Sequence, residues 1–282
     1  IIDESSTYYP SKLDLGTSIN SYVKIFNNSN ISSSLAILGS VAIDANFEMA
    51  NSTFGGFTLP VKLLNSSVGV HDNFFNGASD VFLFQNCFHH NTSFIASGNI
   101  VTAMGATYGM GFMNCVITSS EHFYTNNTIR GGTALVYVNN VADNHTVATL
   151  DSNILYASSY TLRATTPIMR LRHTMLEKHI GPTADIHLLA TYDEETFELD
   201  GGLVNDILIE HPGTSVRDVT IRNSELTGRL SVRSSTSTMN PTNTTLLMEN
   251  STVAAVYFTY RLSDSRVIFN NVPFNATPAV VP

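Results

Sequence analysis

The sequence has no tryptophan and only two cysteines, and charged side chains make up 13% of its residues against roughly 25% in an average soluble protein. Asparagine, serine and threonine take over the polar role. Amides and hydroxyls suit strands stacked in register, because like charges about 4.8 Å apart repel whereas stacked amides bond to one another. The net charge of −9 leaves no basic face for a phosphate backbone, which argues against nucleic acid. No apolar run approaches the roughly 18 residues of a membrane span. The lack of tryptophan removes the ring most suited to a sugar platform and leaves that role to tyrosine and phenylalanine. There is neither an initiating methionine nor a signal peptide, so the stretch from Ile1 to Pro282 reads as a processed piece of something longer.

Cations are scarce in one half of the chain. Only Lys12, Lys24, Lys62 and Arg130 fall within residues 1–162, and the other ten of the 14 follow. A function that needs cations therefore belongs to the second half.

What is present is a repeat. Short alternating strands rich in Val, Ile, Leu, Phe and Tyr end in asparagine: KIFNN at Asn28, AIDAN at Asn46, KLLN at Asn65, LFQN at Asn86, GFMN at Asn114, VYVNN at Asn140, TIRN at Asn223, LMEN at Asn250 and IFNN at Asn271. A second series follows about 13 residues behind, at Asn99, Asn127 and Asn153. Three strands and their turns make one coil of roughly 20–28 residues. A solenoid explains this period, since each coil buries its apolar side chains only against the coils above and below. An asparagine at the same bend of each coil tolerates the left-handed backbone needed there, and its amide can bond to the next. The reading is an all-β, right-handed parallel β-helix over 17–272. Residues 1–16 form a cap or lead-in, and 273–282 an extended tail. The strands near 62–64, 82–84, 111–113, 136–138, 219–221, 246–248 and 267–269 are expected in one sheet, with Asn65, Asn86, Asn114, Asn140, Asn223, Asn250 and Asn271 as a ladder along its edge.

This pattern resembles the right-handed parallel β-helices of the pectin-lyase-like superfamily and the β-helical tailspikes of phages, over roughly 17–160 and 203–272. The resemblance implies fold and not activity. Polygalacturonase-like members carry Asn-Thr-Asp, Asp-Asp, Gly-His-Gly and Arg-x-Lys motifs, and pectate-lyase-like members carry calcium-binding acids with an arginine base. Neither set is found here, so the chain reads as leaning away from an enzyme.

The repeat falters between Arg163 and Asp200, in a segment that holds Arg170, Arg172, three histidines and an acid run. Two readings stand. The segment is a binding insertion on one face, or it is a pair of irregular coils in which His173 and His211 replace bend asparagines. The binding reading gives Arg170, Arg172 and Arg217 the role of holding carboxylates or sulfates through paired N–H donors, with Tyr192 and Phe197 as sugar platforms. Glycoside hydrolysis would need two carboxylates roughly 5–10 Å apart, and Asp206, Glu210, Asp218 and Glu225 are the weak candidates. His71, His89, His90 and His122 show no ligand spacing, so neither metal nor cofactor is expected. Cys87 and Cys115 each follow a repeat asparagine, 28 residues apart, and should stack. A pair of free thiols is the preferred reading and a disulfide the alternative. Ten N-x-Ser/Thr sequons occur, and most read as by-products of turn composition.

The leading functional expectation is a homo-oligomeric, trimeric surface or virion fibre that binds a cell-surface glycan or receptor. A polysaccharide lyase or glycosidase with acids on the 193–225 face is the rival. A glycosylated structural surface protein is the third reading.

Overall fold

The computed structural model describes residues 2–3, 12–14, 16–27, 31–38, 41–58, 62–77, 81–103, 108–138, 140–143, 145–164, 168–178, 185–189, 194–211, 216–234, 244–258 and 264–274. Every regular element among these described residues is a strand, and none is a helix long and apolar enough to cross a membrane. The strands pair in parallel, coil upon coil, into a right-handed β-solenoid with three sheets for walls. Among the described residues the first wall has 12 strands, from Ile2–Asp3 through Ser67–His71 and Val147–Asp151 to Arg266–Asn270. On the same described residues the second wall has 15 strands, and the third has 6, from Thr17–Ile19 to Val141–Ala142.

Alternation along each strand sets what is inside. In the first wall Val68, Phe94 and His122 occupy matched positions on successive coils, as do Val70, Ala96 and Tyr124, and all are buried. The core of the earlier coils is aromatic, with Phe84 stacked on Phe112 at 4.6 Å and Phe112 on His122 at 4.4 Å. The later coils are filled by Leu171, Leu199, Ile207, Ile209, Ile221, Leu230 and Met248. A satellite cluster of Leu83, Val136 and Val138 packs on the opposite side of the second wall, so that face is covered there too.

The corners explain the repeated asparagine. Each tight corner is two residues long. The first is left-handed, with φ between 47° and 56° at the non-glycine positions, which favours asparagine and aspartate over bulkier residues. Its N–H donates to a carbonyl of the next coil, as in Asn51 to His71 (3.1 Å), Asn65 to His90 (3.0 Å) and Asn86 to Met113 (3.0 Å). The second residue turns into the wall, where a side chain such as that of Ser66, Asn73, Ser120 or Asn127 bonds the backbone of a neighbouring coil. Bends of the first-to-second corner recur 21 to 28 residues apart, as from Asn51 to Asp72 and from Gly98 to Asn126.

Several expectations change on this geometry. The seven strands expected in one sheet are all parallel, but they divide among three walls. Lys62–Leu64 is in the third, the strands at Phe82–Gln85, Tyr108–Met113 and Thr128–Val138 are in the second, and Val216–Arg222, Thr244–Glu249 and Arg266–Asn270 are in the first. The cause is that all three corners use the same strand-then-asparagine signature. Asn65, Asn86, Asn114, Asn223, Asn250 and Asn271 are bend residues at three different corners, while Asn140 is a buried wall residue. The continuous row of stacked amides is instead Asn73, Asn99, Asn127 and Asn153, joined by side-chain bonds of 2.9–3.1 Å. The described strands of the segment 163–200 carry the coils on. Ile168–Arg172 and Glu194–Asp200 continue the first wall, Met175–Lys178 and Ile186–Leu189 continue the second, and His173 takes the bend with φ 47°. His211 ends a strand instead. Upstream, Ile2–Asp3 and Lys12–Asp14 already pair with the coil after them, so the stack extends into 1–16. Cys87 and Cys115 stack as expected, with Cα atoms 4.5 Å apart, but are joined as a disulfide and not left as thiols. Both fill the wall slot after a bend, where coil stacking holds the two sulfurs within bonding reach.

Candidate binding groove

The arginine face that the sequence points to is interleaved with acids. Arg170 pairs with Glu198 at 3.3 Å, its register partner on the next coil. Arg172 lies beside Asp151 and Asp200 in the first wall, and Arg222 binds Glu249 at 2.9 Å. Phe197 is 2% exposed and belongs to the core, because alternation along Glu194–Asp200 turns it inward, so it offers no ring to a sugar. Tyr192 and the side chain of Arg217 lie outside the described residues.

The candidate acids Asp206 and Glu210 are each engaged by neighbours. The Asp206 carboxylate accepts the Arg229 N–H at 2.7 Å. Glu210 accepts from His187 Nε2 at 2.6 Å and from Arg233 Nε at 2.7 Å. Burial pushes the Glu210 carboxyl up, but the bonds from His187 and Arg233 outweigh it and hold the group below the ordinary carboxylate value. His187 is buried against the Tyr160 ring at 5.1 Å, and that burial lowers its pKa against the pull of Glu210. The neutral ring therefore donates from Nε2, leaving Nδ1 buried without a partner. Asp218 lies exposed on the first wall and Glu225 on the second.

What the coils do build is an open groove of about 550 Å³ along the corner between the third and first walls. Three stacked rows line it. Asp44, Asn65, Asn91 and Ser119 are the left-handed bend residues, with Ala45, Ser66 and Thr92 behind them and Asn46, Ser67, Ser93 and Glu121 at the strand starts. Coil stacking repeats these groups at about the 4.8 Å spacing of paired strands. The rows hold one another in place. Asn91 donates to Asn65 Oδ1 at 3.1 Å, Thr92 N–H to Ser120 Oγ at 3.1 Å and Ala45 N–H to Ser66 Oγ at 3.2 Å. Next to His145 of the lining, Asp143 accepts both the Ser119 N–H (2.9 Å) and the Thr146 hydroxyl (2.8 Å). Burial raises the Asp143 carboxyl, but these bonds win and lower it. The lining holds Asp44 and Glu121 but neither lysine nor arginine, so it disfavours anions. A second depression of about 740 Å³ follows the first-to-second corner and is lined by Asn223, Glu225 and Asn250 among others.

Of the groove residues, sequence reasoning singled out Asn46 and Asn65 as repeat asparagines and none as a binding group. Serines at strand starts carry no chemical signature, and only the coil register brings them into rows. No protein-family model, curated protein or solved structure matches the chain.

Proposed function

We propose that this chain is the binding module of an extracellular or virion-surface fibre, and that the groove along the third-to-first corner takes an extended, uncharged glycan. The observation that carries the reading is the repetition of identical hydroxyl and amide groups along the solenoid axis, at Asn65 and Asn91 and at Ser67 and Ser93. A polymer of like units meets the same donors and acceptors at each step, and the acids at Asp44 and Glu121 favour neutral sugar over uronate or sulfate. Trimeric assembly belongs to the same reading.

The test is binding of neutral and acidic polysaccharides by calorimetry, with reducing ends and 235 nm absorbance followed in parallel. Ser93→Tyr fills the groove and should weaken neutral-glycan binding at least ten-fold while leaving the melting temperature unchanged. Arg170→Ala with Arg172→Ala should leave binding intact. The reverse pattern moves the site to the first-wall arginines, and release of products turns the module into a lyase or hydrolase. Light scattering at the monomer mass of 30.7 kDa counts against the trimer.

A further inference from the structure

The two-slot corner separates the asparagines that point into the wall from those that point out, and the sequons fall on one side of that division. Among the described residues Asn27, Asn51, Asn65, Asn91, Asn126 and Asn250 begin N-x-Ser/Thr sequons, and every one is an exposed, left-handed bend residue. The middle residue of five of them, Ser52, Ser66, Thr92, Asn127 and Ser251, fills the buried wall slot. The hydroxyl residue, described in these five, then starts the next strand.

The bend does not require this. Asn20, Asn86, Asn114, Asn223 and Asn271 have the same backbone, followed two residues on by Tyr22, Phe88, Val116, Glu225 and Pro273. The hydroxyl two residues on is therefore not a by-product of the turn. The Cys87–Cys115 disulfide is an independent pointer, since such bonds persist in the oxidising compartments through which glycosylated chains pass.

We propose that Asn51, Asn126 and Asn250 carry N-linked glycans, arrayed along the first-to-second corner. In the transfer, the side-chain Nδ2 attacks the anomeric carbon of an oligosaccharide held on a lipid diphosphate. The new C–N bond replaces the C–O bond to diphosphate, the amide gives up one proton, and the lipid diphosphate leaves. Asn126 is the most open of the three, because the bends above and below it are Gly98 and Ser152. Asn250 uses its Oδ1 to accept from Asn271 at 3.0 Å, which turns its nitrogen away from that neighbour. Asn91 commits its nitrogen to Asn65 and stays unmodified.

The full chain is expressed through the secretory route of a eukaryotic cell, and its peptides are treated with an amide-cleaving glycosidase in heavy-oxygen water. Labelled aspartate is expected at positions 126, 51 and 250, and none at 86 or 91. Thr128→Ala keeps the Asn126 bend but removes its sequon, and should lower the mass by one glycan at an unchanged melting temperature. Unlabelled peptides at all three positions overturn the proposal, as does Thr128→Ala with its mass unaltered beyond the substitution. The labelling is read on the unsubstituted chain, so a variant that fails to fold does not blunt the result.

Discussion

In the four coils from Asn73 to Asn153 the wall slot of the first-to-second corner is filled by amides, whereas Ser52 holds it before them and Thr174, Gly202, Ser224 and Ser251 hold it beyond. Asn127 makes four bonds from that slot. Its Oδ1 accepts from the Asn99 N–H (3.0 Å) and Nδ2 (2.9 Å), and its own Nδ2 donates to Ala96 O (2.9 Å) and Asn153 Oδ1 (3.0 Å). Ser224 makes two from its hydroxyl, accepting from Gly202 N–H at 3.2 Å and donating to Arg222 O at 2.6 Å. The outer face compensates. At one register position of the first wall the earlier coils carry Ala50, His71, Ser97 and Thr125, and the later ones carry Asp151, Arg172, Asp200, Arg222 and Glu249 in alternating sign. Equal coil spacing is thus stitched by buried amides in one half and by surface charge in the other. The third wall, confined to the first half among the described residues, goes with the amides.

The largest expected difference between the halves is in acid. Inside the early coils His122 Nδ1 meets the Tyr137 hydroxyl at 3.0 Å, and His89 has neither nitrogen partnered. Burial pushes His89 down to about 3 and His122, which also feels His89, well below its ordinary value. The unfolded chain takes up these protons near pH 6.5, so stability is full above that pH and drains as pH falls from 6.5 toward 3. His89 alone accounts for roughly 3–5 kcal/mol of that loss. Urea unfolding at pH 7 and pH 4 measures it. His89→Phe, set between Phe84 and Phe112, should flatten the difference, and an unaltered pH dependence would sink the idea.

Next in size is the disulfide. Replacing Cys87 and Cys115 together with alanine should cost about 3 kcal/mol through the chain it closes. Hydrogen exchange should quicken around residues 81–142 and stay unaltered beyond 194; a uniform quickening would mean that the halves unfold as one unit.

A smaller effect separates the wall slots directly. Asn127→Ala leaves Asn99 and Ala96 short of partners and should cost about 2–3 kcal/mol, against about 1 kcal/mol for Ser224→Ala. Equal denaturation midpoints for the two variants would erase the contrast between amide and hydroxyl walls. Least costly is Arg222→Ala, which removes an exposed pair worth below about 1 kcal/mol, an effect that should vanish in molar salt.

Much of the architecture was legible because a solenoid writes its period into the chain. The coil length, the parallel course and the stacking of Cys87 on Cys115 all follow from spacing. Which wall a strand joins did not follow, since Asn65, Asn86 and Asn223 end similar strands at three different corners. Nor did the inward turn of Phe197, which depends on register within a segment where the asparagine signature gives way to His173 and Gly201. The groove was hidden for a related reason: Ser67 and Ser93 gain meaning only once the coils are superposed.

Because each coil touches only its neighbours, and every bend of one corner repeats the same two-residue grammar, the natural unit of inheritance in this chain is the coil and not the strand. Excising residues 127–152 would join Asn126 to Asn153 and set the Asn99 amide against that of Asn153, as it now meets Asn127. Reach from base to tip could thus change in whole-coil steps by tandem duplication or loss, with the amide row closing across the new seam.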